Sequence, residues 1–103
     1  MAKIVKISKE EANRRLGDVL DGKHFWCQDG KVVKNLKELG EALDGMGDET
    51  FHHHSGEGRN DFSNWIRDCI QDTALAKKLV KVTDKNQARE IVQERLDWLN
   101  TRA

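Results

Sequence analysis

The chain contains no proline, so none of its elements is stopped by ring closure, and element boundaries fall to Gly, Asn and Asp. Its two cysteines, Cys27 and Cys69, are too few for a disulfide scaffold and read as reduced thiols. Apolar runs are only a few residues long, which excludes a membrane-spanning helix. The first residues show no charged, apolar and small-residue succession of the kind a secretory signal needs, so the expected compartment is the cytoplasm. Net charge is also missing: 18 Lys and Arg balance 18 Asp and Glu. A nucleic-acid binder ordinarily carries a basic surplus, because phosphate neutralisation supplies most of its affinity. What remains is 103 residues, enough for one domain, with 37% hydrophobic and 35% charged residues and a mean hydropathy of −0.78. That is lean in apolar content, yet the apolar residues are patterned and the chain lies outside the disordered range.

The charges are segregated along the chain. Lys3, Lys6 and Lys9 make the Lys3–Lys9 stretch basic, and Lys31, Lys34 and Lys37 form a second basic stretch. Glu41, Asp44, Asp48 and Glu49 follow without an intervening cation, a pattern that reads first as a solvated helix end and loop.

Residues 2–7 suit a short strand or an ordered arm. Ser8 and Glu11 then have the S-x-x-E spacing of a capping box. Ala12, Leu16, Val19 and Leu20 recur on one helical face, and Gly22 stands where a left-handed cap would end the helix, giving a first helix over 9–21. Residues 24–33 carry Asp29-Gly30 between Phe25-Trp26 and Val32-Val33, the signature of a type I′ β-hairpin whose four apolar residues pack partly on helices. Asn35 caps a second helix with Leu36, Leu39, Ala42, Leu43 and Met46 buried; Gly40 inside it points to a close neighbour. Residues 48–51 open a short helical turn running into an exposed loop over 52–58 that carries His52, His53 and His54. Asn60 caps a helix over 60–71 that buries Phe62, Trp65, Ile66, Cys69 and Ile70 and leaves Ser63, Asn64, Arg67 and Asp68 outside. A short helix from Asp72 or Thr73 buries Leu75, Leu79 and Val80. The last helix, 84–101, buries Ala88, Ile91, Val92, Leu96 and Leu99, with Trp98 at its edge. The expected fold is mainly α, a single domain of about five helices with one short β-hairpin.

Three segments also resemble a small prokaryotic domain family, archaeal and bacterial, of unknown function. Asp48-Glu49-Thr50-Phe51-His52-His53-His54 matches its DETF-x-HH element, Asn60-Asp61-Phe62-Ser63-Asn64-Trp65-Ile66-Arg67-Asp68 its NDF-x-NWIRD helix, and Asp72 with Leu75-Ala76-Lys77-Lys78-Leu79 its D-x-x-LA-x-x-L helix. The likeness covers about residues 23–80. It implies a compact stand-alone module and transfers no chemistry.

The three consecutive histidines suggest a metal, but successive residues cannot all point at one ion, and no His-x-x-x-His or Cys-x-x-Cys spacing completes a set. The competing reading has one of them packed at the helix end against backbone groups or Asp61, with the others solvated. Trp65 reads as a core anchor whose indole N–H finds a buried acceptor. Neither cysteine has an orienting triad, so the residues lean away from an enzyme, and no catalytic residue, cofactor or metal is assigned. The leading expectation is a protein-interaction module with an unidentified protein partner, working through His52, His53, His54, Asn60, Asp61, Asn64, Arg67 and Asp68. A nucleic-acid or ribosome-associated role through the basic stretches together with Arg14 and Arg15, and a metal-binding role through the histidines, are the alternatives. No membrane is expected, and the chain is read as a monomer or weak homodimer.

Overall fold

Ser8 starts the first helix as its spacing requires. A computed structural model describes residues 7–56 and 59–103, and there Ser8 Oγ accepts the Glu11 N–H at 3.0 Å ahead of α1 (Lys9–Leu16). Most of the 2–7 segment, with Lys3 and Lys6, lies outside the described residues. Only half of the capping box closes, because the Glu11 carboxylate turns instead to Arg14 at 2.6 Å and Arg15 at 2.7 Å. The helix stops at Gly17, five residues before the expected Gly22, and this corrects the 9–21 span. Extended backbone beyond Gly17 lets the Val19 N–H donate to the Lys34 carbonyl at 2.8 Å and Asp18 accept from Asn35 Nδ2 at 2.7 Å. Leu20, placed by periodicity on the buried face, is therefore 73% exposed.

Strands β1 (Phe25–Trp26) and β2 (Val32–Val33) pair antiparallel, Phe25 opposite Val33 and Trp26 opposite Val32. The connection is a three-residue loop, Gln28-Asp29-Gly30, closed by Cys27 N–H to the Lys31 carbonyl at 2.9 Å. A type I′ turn would need positive φ at Asp29 as well, but only Gly30, at φ +94°, adopts it. The longer loop spares Asp29 that conformation and leaves its carboxylate to accept the Lys31 N–H at 3.1 Å. Side chains alternate across the strands: Phe25 and Val33 turn inward, Trp26 and Val32 outward. A two-stranded hairpin lying flat on helices cannot bury both of its faces, so of the four residues expected to pack partly on helices Trp26 and Val32 remain exposed.

Asn35 Oδ1 accepts the Glu38 N–H at 2.8 Å and opens α2 (Leu36–Gly45), whose stripe Leu36, Leu39, Ala42, Leu43 and the adjoining Met46 is buried as its spacing indicates. It packs on α6 (Lys85–Asn100), and Lys85 Nζ returns a hydrogen bond of 2.7 Å to the Met46 carbonyl just past the end of α2. Then α3 (Asp48–His54) forms as a full helix, bringing the helix count to six where about five were expected. The loop expected over 52–58 is instead helix through His54 and then a second ladder, β3 (Ser55–Gly56) against β4 (Arg59–Asn60). Ser55 is buried there, donating to the Val82 carbonyl at 3.0 Å.

Asn60 is the cap the sequence called for: its Oδ1 accepts the Ser63 N–H at 2.9 Å, and its Nδ2 donates to the Leu79 carbonyl at 2.7 Å. Behind it α4 (Asp61–Trp65) widens into a π-helical segment, Ile66–Ile70, and ends on Gln71 in the left-handed region at φ 63°. Ser63, expected outside, is buried because its hydroxyl reaches the Ala76 carbonyl at 2.7 Å on α5 (Thr73–Leu79). Val80 is exposed, and Ala76 and Val82 are buried near it instead. Asp72 caps α5 through the Leu75 N–H and is fully buried, clasped by Arg95 at 2.7 and 2.9 Å with Arg15 at 3.5 Å. One ion cluster thus ties α1, α5 and α6 together. The architecture is mainly α, six helices with two small antiparallel strand pairs among the described residues.

Candidate functional site

On α3 the helical phase separates the three histidines. Thr50, Phe51 and His54 face inward while His52 and His53 face water. The His54 ring is held on both nitrogens. Its Nε2 lies 2.9 Å from the Gln28 amide, which can only donate, so Nε2 is the unprotonated acceptor. The proton is therefore on Nδ1, which donates to Asp61 Oδ2 at 2.9 Å. Phe25 and Phe62 set their rings edge-on to the imidazole, with centroids 5.0 and 5.5 Å away. Asp61 is in turn held by Arg59 at 2.8 Å, and that hydrogen bond, assisted by His54, keeps its carboxyl below the usual range against the opposing effect of burial.

A histidine beside a carboxylate resembles a general-base dyad, but catalysis needs a free Nε2, and here a main-chain amide occupies it. His54 is a structural tie between the hairpin loop and α4. Gln28 makes a second tie, its Oε1 accepting from Thr50 Oγ1 at 3.1 Å.

Of the eight residues read as one interaction surface, His54 and Asn60 are therefore interior, and their inclusion is corrected. Both carry hydrogen-bonding duties that pull them inward: His54 links Gln28 to Asp61, and Asn60 bridges the start of α4 to the end of α5. Asp61 is half-buried; His52, His53, Asn64, Arg67 and Asp68 are exposed. Arg67 and Asp68 pair with each other at 2.9 Å, and the bond from Arg67 holds the Asp68 carboxyl below its ordinary range. The reading of Trp65 as anchor holds: it is 7% exposed and its Nε1–H donates to the Lys23 carbonyl at 2.7 Å.

Among the described residues, no three His, Cys, Asp or Glu side chains gather in a way that could hold a metal. Burial pushes the Cys27 thiol up to about 11 and raises Cys69 as well, the opposite of what a nucleophile requires. No family model, curated protein or solved structure matches the chain.

Three of the residues read as a basic face are engaged by other groups. Arg14 and Arg15 are spent on Glu11, the Ile70 carbonyl and Asp72, and Lys34 lies 3.8 Å from Glu38. No helix of the described residues is long and apolar enough to cross a membrane. A groove of about 500 Å³ runs between α2 and α6 over Leu16, Gly40 and Leu96, but its rim mixes Lys37 and Arg89 with Glu41 and Asp44, and the Arg89–Asp44 pair closes to 3.6 Å.

The feature missed from sequence is Trp26. It is 69% exposed on β1, next to Phe25, which is 7% exposed. Trp98 is different, its ring lying between the guanidinium groups of Arg95 at 4.1 Å and Arg102 at 4.0 Å. Strict alternation from Phe25 could have flagged Trp26 as outward-facing, had the hairpin been read as lying flat on the helices.

Proposed function

We propose that this domain is a non-enzymatic protein-interaction module whose contact face is the outer side of the β1–β2 hairpin, with Trp26 as its anchor. The observation that carries this reading is the exposure of Trp26 beside Val32 on a hairpin that Phe25, Val33, Gln28 and His54 hold to the core. An indole presented on a rigid element loses little side-chain entropy on contact, and tryptophan is the residue type most enriched at interface hot spots. The closed hydrogen bonding of His54 and the raised thiol of Cys27 support a binding role over a catalytic one. The ion pairing of Arg14, Arg15 and Lys34 counts against the nucleic-acid alternative.

A photo-crosslinking residue at position 26 tests the reading. One protein partner is expected to be captured, and with that partner purified, Trp26→Ala is expected to weaken binding at least about thirtyfold, the hot-spot threshold of about 2 kcal/mol. Asn64→Ala is expected to change it little. Unaltered affinity of the Trp26→Ala protein would refute the assignment.

A further inference from the structure

We propose that His54 is a proton-operated latch that sets how firmly the hairpin tip is held to α3. The geometry makes the ring an acceptor on one side and a donor on the other. The Gln28 amide donates to Nε2, and Nδ1–H donates to Asp61. A proton taken up from solvent fills the Nε2 lone pair. Two N–H groups then face each other across 2.9 Å, and one partner must move.

The hairpin tip is the partner that moves. On its other side the protonated ring gains, since Nδ1–H to a carboxylate becomes a charge-assisted bond. Arg59 keeps Asp61 ionised by its own hydrogen bond, so the anion persists while the imidazole charges. The flanking rings of Phe25 and Phe62 restrict any swing of the imidazole. Among the described residues, the hydrogen bond that then still ties the tip to α3 is that between the Gln28 and Thr50 side chains. The other charged or titratable groups on the elements packed around the ring include His53 on α3, Arg59 on β4, and the Cys27 thiol and Asp29 in the hairpin. His53 sets its ring edge-on at 4.8 Å, Arg59 is paired with Asp61, and Asp29 accepts the Lys31 amide of its own loop. As a control on binding the latch rests on the hairpin reading above; as a structural coupling it does not.

The test therefore uses no partner. In the isotope-labelled full chain, the His54 ring resonances and the hydrogen-exchange protection of the Gln28 amide are followed from about pH 8 to about pH 5, with exchange corrected for its intrinsic pH dependence. Gln28 protection is expected to fall about tenfold with the same midpoint as the ring, the size of one buried hydrogen bond. His54→Gln, which offers an acceptor that does not titrate, is expected to hold Gln28 protection flat. Asp61→Asn, should His54→Gln not fold, is expected to move the shared midpoint to lower pH by removing the anion. A ring that titrates while Gln28 protection stays constant would overturn the latch, as would loss of Gln28 protection only on global unfolding. An unmoved midpoint in Asp61→Asn would do the same. Failure of Trp26→Ala to alter binding would strike the hairpin reading alone.

Discussion

Replacing Asp72 probes the heaviest single tie in the fold. Its carboxylate is fully buried, caps α5 through the Leu75 N–H, and receives a bidentate pair from Arg95 at 2.7 and 2.9 Å. Asp72→Asn retains one side-chain oxygen for the cap, since Asn and Asp cap about equally well, and replaces the charge and the oxygen that accepts from Arg95 Nε by a neutral NH2. Breaking a buried pair by deleting one partner costs about 3–5 kcal/mol. Here the side chains of Arg95 and Arg15 keep 12% and 16% exposure, and Arg15 retains Glu11, so about 2–4 kcal/mol is expected. Asp72→Ala also loses the cap and is expected to cost about 1 kcal/mol more. A domain of this size has about 5–15 kcal/mol in total, so both variants should fold but unfold early. Urea denaturation at neutral pH reads the difference, with a midpoint about 2 M lower for Asp72→Asn given ordinary m-values. A loss below about 1 kcal/mol for both variants would show that the cluster does not hold α1, α5 and α6 together, and the reasoning would fail.

Gly40→Ala is expected to stabilise the protein: a Cβ there would meet Val92 Cγ1 at 3.6 Å and Leu96 Cδ1 at 3.7 Å, ordinary contact distances, while the helix gains about 1 kcal/mol. The thermal midpoint should rise by about 4–8 °C, and a fall would mean that α2 and α6 tolerate no methyl between them. Trp65→Ala is expected to cost about 3–5 kcal/mol, and Trp65→Phe about 1–3 kcal/mol for the Lys23 carbonyl it strands; a wild-type melting curve for Trp65→Ala would contradict the observed helix phase. Glu11, lowered to about 2 by hydrogen bonds from Arg14 and Arg15, binds fewer protons in the native chain than in the unfolded one. Its stabilisation is thus complete above about pH 4.5 and disappears as pH falls through about 2. The carboxylate is 31% exposed, so solvent screening limits it to about 1 kcal/mol or less; acid titration of Glu11→Gln should show a correspondingly shallower slope, and an identical slope would reject the assignment.

The capping oxygens and apolar stripes were legible before any coordinates. Ser8, Asn35 and Asn60 each cap the helix their spacing indicated, and the stripes of α2 and α6 are buried as read except for Ile91, which is half-buried, because a cap and a 3.6-residue period act within a few residues of chain. Trp65 belongs with them, as does the reading of one histidine packed against Asp61, though only the helical phase of α3 decides that it is His54. What the residues in order could not decide depends on partners distant in sequence. α1 stops at Gly17 because the Lys34 carbonyl takes the Val19 N–H and Asn35 Nδ2 donates to the Asp18 carboxylate in the extended segment that follows it. Ser63 is buried because Ala76 presents a carbonyl, and Asp72 because Arg15 and Arg95 converge on it from two other helices. Trp26 is bare because a hairpin laid flat on helices has one face to bury, and Phe25 takes it. Local patterns set where elements begin and which side is apolar; whether a polar or aromatic group ends inside is decided by what the assembled fold brings within hydrogen-bonding reach.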